Sequence, residues 1–495
     1  MEMIVKKEDV KTIKSDVLIY ATTEEELKKV DTRFEKILIN IVGSGDFTGE
    51  FNKVHMLYPK DMITSGRILL LGLGKQDELN LERIRRAFAT AVQSLASINI
   101  KNIAVYYSKL KNNKMHESDI VTCALEGILL GNYRFSKYVT ELRERIKIDL
   151  QKITIIEEEQ SQVRLLQEVA DKVKIICENV NFTRNLVNES GNITHPQMLE
   201  ETAKKFAKEY GFKFKVLHEK ELKELGMNLL LAVGKGSIYS SRLIILEFDN
   251  NKSSNEHVVL IGKGITFDTG GLNLKPSVGI VDMRSDMAGA ATVLGMLKTA
   301  SELKIKKNIA VLIPTCENMI GPNAYKPGDI IKSYSGKTVE VVDTDAEGRL
   351  ILADAITYAV KHLKPTVVLD FATLTGSIMR TFGGFVTGLF SNNDSLAGKI
   401  FNAGENTYER VWRMPVYDEY KELMKSDVSD LKNISKEEYA GAITGAAFLE
   451  AFVDKIKWAH FDIGGSAWFD KQRFYVPKGG TGIGIRLFVE LIKTL

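Results

Sequence analysis

Continuous apolar runs, rather than alternating ones, mark the strands of this chain. Asp16-Val17-Leu18-Ile19-Tyr20, Arg67-Ile68-Leu69-Leu70-Leu71 and Ile103-Ala104-Val105-Tyr106-Tyr107 predict three short strands in the first third. The second of these ends on Gly72 and Gly74, and Leu81 to Ile98 then follows the spacing of an amphipathic helix. Val258–Ile261, Ile309–Ile313 and Val367–Leu369 repeat the theme further on. Unbroken apolarity rich in β-branched residues predicts strands covered on both faces. Long helical patterns separate them, and this strand–helix rhythm predicts an α/β fold.

The rhythm breaks once. Polar Glu157-Glu158-Glu159-Gln160-Ser161-Gln162 precedes a helical pattern from Val163 to about Leu186. We therefore expect two domains. An N-terminal α/β domain, macro-like, covers 1–160, and a linking helix covers 161–187. A larger C-terminal α/β domain covers 188–495, with a mixed central sheet flanked by helices. Turn-rich Asn188-Glu189-Ser190-Gly191-Asn192 opens it.

Composition narrows the function. The 495 residues carry 67 basic and 64 acidic side chains, a net charge of +3. That balance argues against a nucleic-acid or membrane partner. Three cysteines lie far apart, with no Cys-x-x-Cys pair, so a reducing cytoplasmic location is expected. The start is too acidic for a signal peptide. The most apolar stretch, around 440–453, contains Glu450 and falls short of the roughly 20 residues a membrane span needs.

The candidate chemistry is carboxylate chemistry. His-Glu-x-x-His and Gly-x-Ser-x-Gly are both absent, and none of the seven histidines pair at metal-ligand spacing. Instead, Gly262-Lys263-Gly264-Ile265-Thr266-Phe267-Asp268-Thr269-Gly270-Gly271 follows directly on a strand, where open α/β sheets place their ligands. The third glycine of a dinucleotide fingerprint is missing, since Phe267 stands there. Asp268 or Asp286 alone would read as a turn or cap residue. A second acidic group changes the picture. The strand-like Lys337–Val342 runs into Asp343-Thr344-Asp345-Ala346-Glu347-Gly348-Arg349-Leu350 and then a helix to about His362. In extended chain, Asp345, Glu347 and Arg349 would share one side. Carboxylates so close repel unless a cation lies between them. The competing reading is a helix start whose acids favour the dipole. Asp268, Asp286, Asp345 and Glu347 together offer oxygen ligands for a pair of divalent ions, and Lys275 and Arg349 offer positive charge for a developing oxyanion.

These blocks resemble the leucyl aminopeptidase (cytosol aminopeptidase) family. The likeness rests on Gly262–Gly271, Leu274-Lys275-Pro276, Asp286-Met287-Ala288-Gly289-Ala290 and, above all, Thr344–Leu350. It extends through Glu317-Asn318-Met319-Ile320, Ala372–Gly376, Trp458–Asp462 and Gly480–Gly484, covering about 185–495 in order, and more loosely Gly72–Lys75.

The resemblance implies a metal-dependent hydrolase that releases N-terminal residues, often leucine, from peptides, with the C-terminal domain catalytic. It implies that Lys263, Asp268, Asp286 and Glu347 bind a tighter ion. Asp268, Asp345 and Glu347 would bind a more exchangeable one, with Asp268 and Glu347 bridging. Manganese or zinc is expected first, with cobalt as a further candidate. Lys275 would meet the substrate carbonyl, and Arg349 would hold a bicarbonate ion. Met283, Thr373 and Gly376 would lie near the pocket for the first side chain. A homohexamer is implied. The chain departs from the family at Asp343, where asparagine is usual. A DNA-binding role and a different two-metal hydrolase, such as a phosphatase, are the rival readings.

Overall fold

A computed structural model describes all residues except 30–40, 42, 60, 61, 108, 109, 111–114, 252, 255 and 438. The chain forms two compact units: Met1–Glu178 with Lys471–Pro477, and Asn179–Asp470 with Lys478–Leu495.

The first unit is built on six strands: β1 (Glu2–Lys7), β2 (Val17–Thr22), β3 (Val54–Leu57), β4 (Ile68–Gly72), β5 (Asn102–Tyr106) and β6 (Lys152–Glu157). They lie in the order β1-β6-β5-β2-β4-β3. All neighbours run parallel except β3 with β4. All six residues of β2 are buried, as expected of a central strand covered on both faces. Helix α1 (Leu81–Ser94) starts where the Asn80 side chain caps the Arg83 N–H at 3.0 Å. It packs on α2 (Glu117–Gly131). The excursion Lys471–Pro477 completes this unit. Its Tyr475 hydroxyl donates to Glu82 Oε1 at 3.1 Å, and Arg86 lies over the Phe474 ring at 4.8 Å. Helix α3 (Val163–Asn188) carries the chain onward.

The second unit centres on a nine-stranded mixed sheet. Its strands are β7 (Lys213–Leu217), β8 (Arg242–Asp249), β9 (His257–Gly262), β10 (Gly264–Asp268), β11 (Asn308–Asn318), β14 (Val367–Ala372), β15 (Thr387–Ser391), β16 (Val411–Arg413) and β18 (Lys457–Asp462). The order is β16-β15-β18-β14-β9-β11-β8-β7, with β10 added to the end of β11. The core strands β18, β14, β9 and β11 are mutually parallel. Their apolar residues are nearly all buried, so the predicted runs at Val258, Ile309 and Val367 are central strands. Helices α4 (Ala288–Glu302), α5 (Gly348–Leu363), α6 (Gly376–Phe382) and α7 (Gly441–Glu450) belong to this unit. A small sheet of β12 (Ile330–Lys332), β13 (Thr338–Glu340) and β17 (Leu431–Lys432) stands apart from the large one.

Sheet polarity positions the chemistry. The carboxyl ends of β9, β14 and the β10–β11 pair fall at one edge, where a parallel α/β sheet opens its ligand crevice. Among the described residues, no helix is long and apolar enough to cross a membrane.

Candidate metal centre

Lys263 occupies the one-residue break between β9 and β10. Its main-chain N–H donates to Phe371 O at 3.0 Å, which fixes the start of its side chain. That side chain then passes Gly348. A Cβ at Gly348 would stand 2.6 Å from Lys263 Cε and 2.7 Å from Nζ, so any larger residue there would push the lysine end from its place among the acids. Lys263 Nζ donates to Thr373 O at 3.0 Å and lies 2.8 Å from Asp286 Oδ1 and 2.7 Å from Glu347 Oε1.

The acids arrive from three other places. Asp268 ends β10 beside Asn318 at the end of β11, and Asn318 Nδ2 donates to Asp268 Oδ1 at 2.8 Å. Asp286 closes a short turn just before α4, where Thr373 Oγ1 donates to its Oδ1 at 2.7 Å. Glu347 is the N-cap residue of α5. Oxygens from Asp268, Asp286 and Glu347 lie within 4.8 Å of one another, and all three residues are buried.

Asp345 does not reach this place by extended chain. Strand β13 ends at Glu340, and residues 342–346 turn instead. Asp343 Oδ1 accepts from Asp345 N at 2.8 Å, a turn-forming bond typical of aspartate. Asn318 Nδ2 and the Tyr325 hydroxyl pin the Thr344 carbonyl at 2.9 and 2.7 Å. Gly270, at φ +88°, clears the space, since a Cβ there would sit 2.8 Å from Asp345 Oδ1. A turn running into a helix start thus sets Asp345 beside Lys275 and Glu347 beside Lys263, with Asp345 outside the set of carboxylates whose oxygens lie within 4.8 Å of one another. The helix-start expectation holds for Glu347 alone.

Lys275 Nζ lies 2.9 Å from Asp268 Oδ2 and 2.6 Å from Asp345 Oδ1. Four carboxylates therefore face two ammonium groups, and the excess is negative. Burial, with Glu347 as a like-charged neighbour, raises Asp268. Burial also raises Asp286 well above the carboxylate range, against the pull of Lys263. Burial and the charge on Asp268 push Asp345 up to about 7. Burial works against the Lys263 ammonium, but Asp286, Glu347 and Asp268 outweigh it and hold its proton firmly. Asp286 Oδ2 is buried with no hydrogen-bond partner among the described residues. Asp345 Oδ1 and Glu347 Oε1 have a lysine nitrogen close by, but not at a hydrogen-bonding angle. Buried acceptors of this kind cost free energy unless a cation or donor meets them. The donor set suits hard or borderline divalent ions.

Arg349, in the first turn of α5, is buried and donates through Nη1 to Asn433 O at 2.7 Å. Burial lowers its pKa to about 10, partly offset by Glu347, Asp462 and Asp343, so it stays charged at neutral pH. Thr373 touches two of the candidate ligands through its carbonyl and hydroxyl. Met283 opens the short turn before Asp286 and is half-buried. Gly376 begins α6 in open space, with nothing within 4 Å of where a Cβ would stand. Asn318, Asn433 and Asp462 carry no role that the sequence alone suggests. Asp462 accepts from the Leu374 and Thr375 N–H groups at 3.1 and 3.4 Å and from Thr375 Oγ1 at 2.7 Å, anchoring the loop before α6. No spacing rule marks these residues, because the site partners they hold lie 26 to 91 residues away.

The catalytic-domain profile of the cytosol aminopeptidase family matches residues 181–489, and its N-terminal-domain profile matches 17–141. A probable cytosol aminopeptidase of Geotalea uraniireducens (strain Rf4) is 41% identical over 464 residues, 92% of this chain and 91% of that one. One from Protochlamydia amoebophila (strain UWE25) is 39% identical over 489 residues, 97% of this chain and 96% of the relative. A mutant of tomato leucine aminopeptidase superposes with a TM-score of 0.86 at 31% identity, covering 100% of this chain and 97% of that one. The bottromycin maturation enzyme BotP in complex with Mn gives 0.85 at 27% identity, covering 97% and 99%. With both domain profiles in sequence order and the acidic cluster at the sheet's carboxyl edge, the chain belongs to the cytosol aminopeptidase family, a family of aminopeptidase hydrolases.

Proposed function

We propose that this chain releases N-terminal amino acids, leucine and other apolar residues foremost, from peptides by a two-metal mechanism. The observation that carries this reading is the buried set Asp268, Asp286 and Glu347 around Lys263, with an unpartnered oxygen on Asp286. Lys263, Asp268, Asp286 and Glu347 would hold the tighter ion, and Asp268, Asp345 and Glu347 the exchangeable one. Manganese or zinc suits the set, and a structural relative is described in complex with Mn. When bound, the ions supply an activated water at neutral pH and polarise the scissile carbonyl.

The chain's own groups do the rest. Lys263 ligates only as the neutral amine, so the charge of a bound ion must reverse the field that Asp286 and Glu347 now impose. Lys275 carries a full charge beside Asp268 and Asp345, within reach of an oxyanion forming there. Arg349 cannot act as a base at working pH. It would hold a bicarbonate ion against α5 as proton shuttle. Met283, Thr373 and Gly376 would border the pocket for the first side chain, where methionine favours adaptable apolar contact. Homohexameric assembly and a cytoplasmic location complete the proposal.

Leucine-anilide hydrolysis by the purified protein tests it, after chelation and then after adding back zinc, manganese or cobalt singly. Activity that vanishes with chelator and returns with one ion supports the reading. A folded sample that binds metal yet never cleaves the anilide overturns it. Light scattering on the same sample tests the hexamer.

A further inference from the structure

One asparagine grips the turn that carries Asp345, and the proposed chemistry leaves it without a task. Asn433 follows β17 directly and is fully buried. Its Oδ1 accepts from Val342 N at 2.8 Å and Asp343 N at 3.3 Å. Its Nδ2 donates to Asp343 O at 2.5 Å and to Ala346 O at 3.4 Å. Its main-chain carbonyl accepts from Arg349 Nη1 at 2.7 Å, and its own N–H donates to Glu340 O at 2.9 Å. A single residue therefore touches both flanks of Asp345 and also the Arg349 guanidinium.

Within the turn Thr344 is held by Asn318, Tyr325, Asn273 and Gly270, and Asn433 supplies the grip on its flanks. Strand β13 ends at Glu340, so ladder bonds stop before the turn, and the Asp345 side chain is 34% exposed. The other candidate ligands are held differently. Lys263 and Asp286 are fixed through Thr373, and Asp268 through Asn318. An amide that both donates and accepts suits the 342–346 backbone, which presents N–H and C=O groups to it together. Loosening this grip would displace Asp345, which belongs to only one of the two ion positions.

We propose that Asn433 is a positioning residue for the exchangeable ion and for Arg349, acting through the 342–346 turn and without touching substrate. The proposal rests on the two-ion reading above.

The test uses the full chain, stripped with chelator and dialysed against manganese chloride, with bound metal counted at each concentration. Wild type, Asn433→Ala and Asn433→Ser are compared, together with their melting temperatures. Wild type takes up two ions of unequal affinity. Asn433→Ala keeps the tighter one and binds the second about 10–100-fold more weakly, the usual cost of losing a ligand's supporting partner. Asn433→Ser, whose hydroxyl can donate and accept, recovers part of that loss. If Asn433→Ala fails to fold, Asn433→Ser carries the same comparison against wild type. Equal weakening of both ions overturns the proposal, because a merely structural role would not distinguish them. Unchanged second-ion affinity in a variant of a two-ion wild type overturns it alone. A wild type that never takes a second ion overturns the two-ion reading and the proposal with it.

Discussion

Thr373 donates its hydroxyl to Asp286 Oδ1 at 2.7 Å, which makes it a support for a candidate ligand. Its carbonyl meanwhile accepts from Lys263 Nζ at 3.0 Å. Thr373→Val keeps the shape and the carbonyl but removes the hydroxyl. We expect it to weaken the tighter ion by about 10–100-fold, with Thr373→Ser close to wild type. Equilibrium dialysis checks this, and equal affinities in all three proteins would discard the role.

Lys275 and Glu347 separate charge stabilisation from ligation. Lys275→Ala should lose about 10²–10³ in kcat, the usual loss for an oxyanion donor. It should still bind metal, because Lys275 is not among the proposed ligands. Glu347→Ala should lose both turnover and metal. Circular dichroism would establish that each variant is folded, and full activity in either would sink the mechanism.

Asp343 is the position at which the family resemblance implies an asparagine. Its Oδ1 accepts from Asp345 N, a bond that an asparagine oxygen can also make. Asp343→Asn therefore changes charge while leaving the turn intact. We expect a modest shift in preference among manganese, zinc and cobalt, read as relative activity after adding back each ion. An unchanged ranking would remove the idea.

In the sheet itself, Asp370 joins β14 to β18. Its Oδ2 accepts from Trp458 Nε1 at 2.7 Å, and its Oδ1 faces His460 Nδ1 at 2.5 Å, with all three residues fully buried. Asp370→Ala strands both partners and should cost about 3–5 kcal/mol in urea unfolding. The pair also carries a pH signature. Burial disfavours the imidazolium, but Asp370 outweighs it and raises His460 above 6.5. The stability gained is full below 6.5, the unfolded value, and is lost as pH climbs through the higher folded value. Asp370→Asn should flatten that slope, and an unchanged slope would assign it to another group.

The central strands were legible because a strand covered on both faces has to be apolar throughout, as Val17–Ala21 and Val258–Ile261 are. The acidic cluster was legible because Asp268 ends a strand, Glu347 opens a helix, and Asp286 and Asp345 lie in short turns just ahead of helices. The turn at 342–346 was not. Lys337–Val342 has strand character, but β13 is paired only over Thr338–Glu340, with β12 close by in sequence on one side and β17 far along the chain on the other. Thr338 meets Asp430 and Glu340 meets Ser429, each about 90 positions on. Local pattern cannot report a constraint made at that distance. The same holds for Asn433 and Asn318, whose amides are ordinary polar residues until the fold brings them to the turn.

The excursion Lys471–Pro477 gives the first unit a timetable. Tyr475 reaches Glu82 across 393 positions, so the first unit is not finished when its own 178 residues have been made. At about 5–20 residues per second, the ribosome needs on the order of half a minute more to deliver Tyr475. Until then, Glu82 and its buried partner Arg85 wait without that hydroxyl. The unit is thus translated long before the segment that completes it, and premature termination anywhere before Lys471 deprives it of the Tyr475 contact.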